Sequence, residues 1–251
     1  TAGTGGFAVR NAGIAFYDSA YIDVVLSIFM LLFGVNFNLY YLILIGRVRE
    51  ALRSEELRWF GIIVAASVLI IAADIFAGFQ NVGLSLRHAL FQVSSIISTT
   101  GFATVDFAQW PVLSHEVLLL LMLIGSCAGS TGGGIKTTTF VVLAATVISV
   151  IRGHEDTIIL KRRIDKSVVY RALAIVTVAM LVVVFSTSVI LLSSEDQIGA
   201  IDALFESVSA FGTVGLTTGI TQILSPISKI CLCLTMFIGC LLYTSDAADE
   251  L

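Results

Sequence analysis

The sequence predicts an all-α membrane protein built from repeated units of helix, short re-entrant helix, Thr/Gly strand and helix, and three observations carry that prediction. The 251 residues are 57% apolar and only 13% charged, with a mean hydropathy of +0.99, whereas soluble domains carry about 25% charged residues. Long apolar segments alternate with short ones that end in Gly/Thr clusters. One stretch of the chain repeats itself at a fixed offset. The composition excludes a water-soluble globule and a disordered chain. A net charge of -4 gives no basic footprint for nucleic acid.

A bilayer core of about 30 Å takes about 20 apolar residues as a helix. The first expected span covers Tyr21 to Gly46, and the second Phe60 to Gly78. A third apolar region runs from Val112 to Ile151, a fourth from Ala172 to Leu192, and a last from Ile227 to Leu242. Leu86–Gly101 and Ala200–Gly215 are too short to span.

Positive charge sorts the loops. Ten of the fourteen Lys and Arg fall in two places: Arg47, Arg49, Arg53 and Arg58, then Arg152, Lys161, Arg162, Arg163, Lys166 and Arg171. The positive-inside rule makes both loops cytoplasmic. The other connections carry Asp106, Glu116, Glu195, Asp196 and Asp202. An even number of crossings must separate the basic loops, so the stretch around residues 86–104 enters and leaves by the outer face. Residues 200–218 are re-entrant by the same logic.

The third region spans 40 residues, which as one straight helix would measure roughly 60 Å. Its middle, Gly125 to Thr139, is Gly-rich. Each Gly disfavours helix by about 1 kcal/mol. The expectation is a helix, an unwound segment at membrane depth, and a second helix. Such backbone is tolerated in a membrane only where protein buries it or it lines a watery cavity.

Ala89-Leu-Phe-Gln-Val-Ser-Ser-Ile-Ile-Ser-Thr-Thr-Gly-Phe102 aligns without gaps on Ala203-Leu-Phe-Glu-Ser-Val-Ser-Ala-Phe-Gly-Thr-Val-Gly-Leu216, an offset of 114. The end of this unit recurs at Gly3-Thr-Gly-Gly-Phe-Ala-Val9. In each copy one Gly (Gly6, Gly101, Gly215) precedes a large apolar residue. A short helix entering from outside points its partly negative C-terminus at the membrane centre, where it favours a cation. The Thr/Gly strand that follows can turn its carbonyls inward to replace the water shell of a monovalent cation. The units are therefore expected around a central cation pore. The filter residues would be Thr4, Gly5 and Gly6, then Thr99, Thr100 and Gly101, then Thr213, Val214 and Gly215. The plainer reading of the glycines is helix packing by small residues.

These residues resemble the TrkH/TrkG/KtrB superfamily of bacterial potassium uptake proteins, most closely the TrkH branch. The resemblance runs from Thr4-Gly-Gly-Phe7 to about Gly239. Gly129-Ser-Thr-Gly-Gly-Gly-Ile-Lys-Thr137 is similar to the family's intramembrane gating loop, and Phe211-Gly-Thr-Val-Gly-Leu216 to its fourth filter strand. The family has four such helix–pore loop–helix repeats around one central cation pore. The resemblance implies the following division. Residues 1–46 hold a filter strand and the second helix of repeat 2, and residues 47–59 a cytoplasmic loop. Residues 60–151 form repeat 3 with a broken second helix, 152–170 a second cytoplasmic loop, and 171–239 a truncated repeat 4. The first repeat and the second pore helix are missing. The family's Arg in the last helix is also missing, and residues 240–251 read as an atypical, truncated or foreign tail.

The gate would comprise Gly129, Ser130, Thr131, Gly132, Gly133, Gly134 and Lys136. A nucleotide-binding P-loop is the rival motif, but Ile135 separates Gly134 from Lys136 and breaks its spacing. A simple helix kink is the plainer alternative. Lys136 is the only Lys at membrane depth, and intramembrane charge is usually functional. It is expected to oppose cation passage when the loop is closed. Asp74 is expected at the outer interface, and Gln92 and Glu206 to hydrogen-bond behind the filter. Asn36 and Asn38 are expected to bond between helices. His88, His115 and His154 read as isolated loop-side residues, and Cys127, Cys231, Cys233 and Cys240 as small buried side chains.

The expected function is potassium uptake through a carbonyl-lined filter, gated by the Gly-rich loop. The alternatives are a sodium- or proton-coupled secondary transporter, or a less selective monovalent cation channel. A membrane receptor or enzyme subunit is disfavoured, since neither loop has the length of a domain. No enzyme activity, cofactor or nucleic-acid partner is expected, and K+ is the transported ion. The resemblance further implies a homodimer of full-length chains, a cytosolic TrkA-like nucleotide-binding subunit, and multi-pass insertion in a bacterial inner membrane.

Overall fold

A computed structural model describes residues 2–10, 13–153, 158–159, 162–194 and 198–248, with side chains left out at 158–159, 162–163 and 243–248. The expectations for His154, Lys161, Glu195 and Asp196, and those for the side chains of Arg162 and Arg163, lie outside the described residues. So does residues 249–251 of the tail.

The fold is helical, as expected. In order the helices are α1 (Ala20–Phe33), α2 (Phe37–Leu44), α3 (Val48–Ala51), α4 (Glu55–Phe79), α5 (Val82–Ile97), α6 (Val112–Leu123), α7 (Thr137–Ile151), α8 (Lys166–Ser193), α9 (Ala200–Phe211) and α10 (Pro226–Ala248). The only sheet among the described residues pairs Ile158–Ile159 with Arg162–Arg163, antiparallel, within the second basic loop. α4 and α8, of 25 and 28 residues, are each long and apolar enough to cross a membrane.

Local chemistry starts and stops these elements. Ser54 Oγ accepts the Leu57 amide at the start of α4. Gln80 ends α4 in the left-handed region, at φ 50°. Asn81 then caps α5 by accepting from Leu84 N at 3.2 Å, so α5 folds back on α4. α9 packs against α8. α8 buries Ala179, Val183, Ser186 and Ile190, a stripe at helical spacing. It leaves Leu181, Val184, Phe185 and Leu192 exposed, as a lipid-facing side requires. The main core joins Ile71 and Ile75 of α4, Val93 and Ile97 of α5, Leu118 and Met122 of α6, and Phe205 and Phe211 of α9.

The first expected span is not one helix. α1 and α2 meet at 91° across Gly34–Asn36. Asn36 Oδ1 accepts from Asn38 N and starts α2 afresh. The carbonyls of Phe33 and Gly34 do not continue a helical ladder. They accept from Thr131 N and Cys127 N instead. Asn36 does bond to another helix, through Nδ2 to Glu56 Oε2 at 3.3 Å, while Asn38 contributes its amide to the cap.

Asp74 is not merely an interfacial charge. Its Oδ2 accepts from Ser114 N at 3.0 Å and from Ser114 Oγ at 2.6 Å. α6 begins after Pro111, which supplies no side-chain cap, so Asp74 satisfies an amide of its first turn. His88 and His115 lie inside α5 and α6 rather than in loops. His88 is buried and stacks on Phe79, with ring centroids 5.1 Å apart. Of the cysteines only Cys127 is buried; Cys231 and Cys240 are half-buried and Cys233 is exposed on α10.

Candidate functional site

Three short strands with one backbone pattern come together. Thr4, Thr99 and Thr213 have φ of 42°, 54° and 54°, and Gly6, Gly101 and Gly215 have φ of 66°, 77° and 80°. The residue between each pair, Gly5, Thr100 or Val214, is not in the positive half. A pleated strand sends successive carbonyls to opposite sides; alternating φ sign lets them share one side. A β-branched residue at positive φ is strained by an order of 1–3 kcal/mol, and the same strain recurs at all three Thr positions.

The strands after α5 and α9 are anchored identically. Thr100 N donates to Ser95 O at 2.8 Å, and Val214 N to Ser209 O at 2.9 Å. Ser95 Oγ donates to Phe102 O, and Ser209 Oγ to Leu216 O, both at 2.6 Å. These bonds tie each strand's entry and exit to the helix before it. Among the described residues no hydrogen bond ends on the carbonyls of Thr99, Thr100, Gly101, Thr213, Val214 or Gly215.

The strands lie side by side. A Cβ on Gly6 would sit 2.7 Å from Thr100 O, and one on Gly101 would overlap Val214 O. Close approach of the next strand, together with positive φ, restricts both positions to glycine. Gly215 has open space beside it.

The Gly-rich segment 124–136 is unwound between α6 and α7, as expected. Its neck is closed by Gly125 N donating to Ile135 O at 2.7 Å and Ile135 N to Leu123 O at 3.2 Å. The excursion touches all three strands at the same place. Thr4 Oγ1 donates to Thr131 O at 3.1 Å. Gly133 N donates to Thr99 Oγ1 at 2.8 Å. Thr213 Oγ1 lies where a Cβ on Gly133 would be, and Gly132 abuts Ser126 in the same way. The structure thus brings the expected filter residues and the expected gate residues together.

Lys136, 1% exposed, precedes α7, and its Nζ donates to Gly132 O at 2.7 Å. Among the described residues neither Gln92 nor Glu206 hydrogen-bonds to a strand residue. Gln92 is fully buried, and neither polar atom of its side chain has a partner among the described residues. Glu206 Oε1 accepts from Thr221 Oγ1, beyond the strand, and its Oε2 has no partner there. The residues that do the anchoring, Ser95 and Ser209, were legible as identical residues at the offset of 114. Glu56 had no such signal: its Oε1 accepts from Ala128 N at 2.6 Å, across 72 residues. No cluster of metal-ligating side chains occurs among the described residues.

The chain is similar to several known proteins. Trk system potassium uptake protein TrkH of Escherichia coli (strain K12) is 33% identical over 124 residues, 47% of this chain and 25% of that protein. Ktr system potassium uptake protein B of Bacillus subtilis (strain 168) is 40% identical over 89 residues, 36% of this chain and 20% of that protein. The matched stretch thus spans a quarter or less of these relatives. The crystal structure of the potassium transporter TrkH from Vibrio parahaemolyticus superposes with a TM-score of 0.83 at 24% identity, covering 96% of this chain and 54% of that one. That likeness shows a shared fold. A protein-family model described as "TrkH: Cation transport protein" matches residues 1–247, past Gly239. This membrane protein therefore belongs to the TrkH family of cation transport proteins.

Proposed function

We propose that the whole protein takes up potassium, through a filter formed by the carbonyls at Thr4–Gly6, Thr99–Gly101 and Thr213–Gly215 and a gate at residues 129–136. The observation that carries this reading is the shared contact: the Gly-rich loop meets the first Thr of each strand. Carbonyls with no protein donor can replace an ion's hydration shell, and a loop seated across one end of the strands can block the exit. Electrostatics at the loop support the same reading, because Lys136 is held against Gly132 O within it. The relatives' names point to potassium as cargo.

In this reading residues 1–46, 60–151 and 171–239 are parts of repeats 2, 3 and 4, and the remaining filter wall comes from elsewhere in the protein. The basic loops 47–59 and 152–170 face the cytoplasm of a bacterial inner-membrane protein. They offer a docking face to a TrkA-like nucleotide-binding subunit, and the full-length chains pair as homodimers. The transporter itself uses no cofactor.

Flux of potassium, rubidium and sodium through the full-length protein in liposomes tests this function. Potassium and rubidium should pass in preference to sodium. Deleting Gly132–Gly134 should raise flux with little change in that preference, and unchanged flux would remove the gate. Saturable flux that requires a sodium or proton gradient would instead favour a coupled transporter.

A further inference from the structure

The first half of the Gly-rich loop is held from outside the strands. Cys127 N donates to Gly34 O at 3.0 Å, and Phe37 N to Gly129 O at 3.1 Å. Thr131 donates to Phe33 O through N at 3.4 Å and through Oγ1 at 3.2 Å. The partners on the far side of these bonds, Phe33, Gly34 and Phe37, lie in or at the edges of the 91° break between α1 and α2. Glu56, in the first turn of α4, completes the arrangement. One carboxylate oxygen accepts from Ala128 N at 2.6 Å and the other from Asn36 Nδ2 at 3.3 Å. Asn36 also caps α2. A single acidic side chain thus ties together the loop, the break and the start of α4.

We propose that Glu56 is a positioning residue that holds the loop under the filter, and that α2 and the adjoining basic loop act on the gate through it. The proposal rests on the reading of residues 129–136 as a gate. Ala128 N lies in unwound backbone, where no helical carbonyl can take it. Glu56 is suited to the task because the N-terminus of α4 favours an acidic side chain. Its helix starts directly after the loop that carries Arg47, Arg49 and Arg53. Asn36 begins α2, which leads into that loop from the other side. A shift of either element moves an acceptor or a donor of the same carboxylate, and the loop's hold on the strands changes with it.

The test uses the full-length protein in liposomes, with Glu56→Ala made in the wild type and in the Gly132–Gly134 deletion. A hydrogen bond to a charged group shifts such an equilibrium by roughly tenfold or more. Glu56→Ala should therefore raise resting potassium flux by about tenfold in the wild type and leave the deletion variant unchanged. Glu56→Gln, whose Oε1 can still accept from Ala128 N, should recover most of the low resting flux. A deletion that raises flux while Glu56→Ala stays at the wild-type level overturns the latch and leaves the gate standing. A glutamine variant as leaky as the alanine one overturns the hydrogen bond as its cause. A second readout does not depend on flux. In a Ser130→Cys background, Glu56→Ala should speed thiol labelling of the loop severalfold, and an unchanged rate overturns the proposal even if the deletion shows no gate.

Discussion

The Gly133 amide donates to Thr99 Oγ1 at 2.8 Å. One residue belongs to the Gly-rich loop and the other opens the Thr/Gly strand after α5, so a single bond joins the two segments. Thr4 makes the corresponding link through Thr131 O. The loop is therefore registered on the strands by side chains that the repeat places at equal positions.

Thr99→Val keeps the β-branched shape at φ 54° and removes the acceptor. It leaves Gly133 N without its partner and loosens the loop. At roughly 1 kcal/mol for a typical hydrogen bond, resting flux should rise about fivefold, with the potassium-to-sodium ratio unchanged. Liposome flux measures both.

Gly101→Ala places a Cβ on Val214 O at a positive φ. The two strands must separate, and the carbonyls lose their common geometry. The potassium-to-sodium flux ratio should collapse toward one. A wild-type ratio in this variant would show that the strands do not form the filter.

Ser95→Ala and Ser209→Ala each leave a carbonyl, Phe102 O or Leu216 O, without its donor. An unsatisfied buried group costs about 1–3 kcal/mol. The two variants should lower thermal stability in detergent to a similar extent, because the anchors are equivalent. Unequal losses would mean the two strands are supported differently.

Asp74→Ala removes the acceptor for Ser114 N and Oγ. Loss of a helix cap costs about 0.5–2 kcal/mol. The unfolding temperature should fall while ion selectivity stays as it was, since Ser114 lies in the first turn of α6, at the end opposite the Gly-rich segment.

Lys136→Met removes a buried charge and its bond to Gly132 O. Conductance of the full-length protein should increase, because the loop loses a tether and the proposed gate loses its positive group. A decrease in single-channel or liposome flux would assign Lys136 a purely structural part.

The legible parts of this protein are those written in local composition. Apolar length marks α4 and α8, and the offset of 114 marks the two matching strands. The Gly-rich interior of Val112–Ile151 marks the unwound segment. The break at Gly34–Asn36 was hidden because hydropathy averages over a bend, although a Gly followed by an Asn cap was present. Gln92 and Glu206 diverge for another reason. Equal repeat positions suggested one shared role, yet Glu206 bonds to Thr221 and Gln92 to nothing described.

By itself the sequence determined that the chain is an apolar, helical, repeated protein, and where glycine stands in each strand. Those properties depend on hydrophobicity and backbone torsion, which each residue carries with it. Only the tertiary structure decided what the repeats press against. Gly101 is glycine because Val214 O approaches it, Asp74 is needed because α6 lacks its own cap, and Glu56 matters because Ala128 arrives beside it from 72 residues away. Such pairings depend on how separate helices meet in space, and no local pattern of residues encodes that meeting.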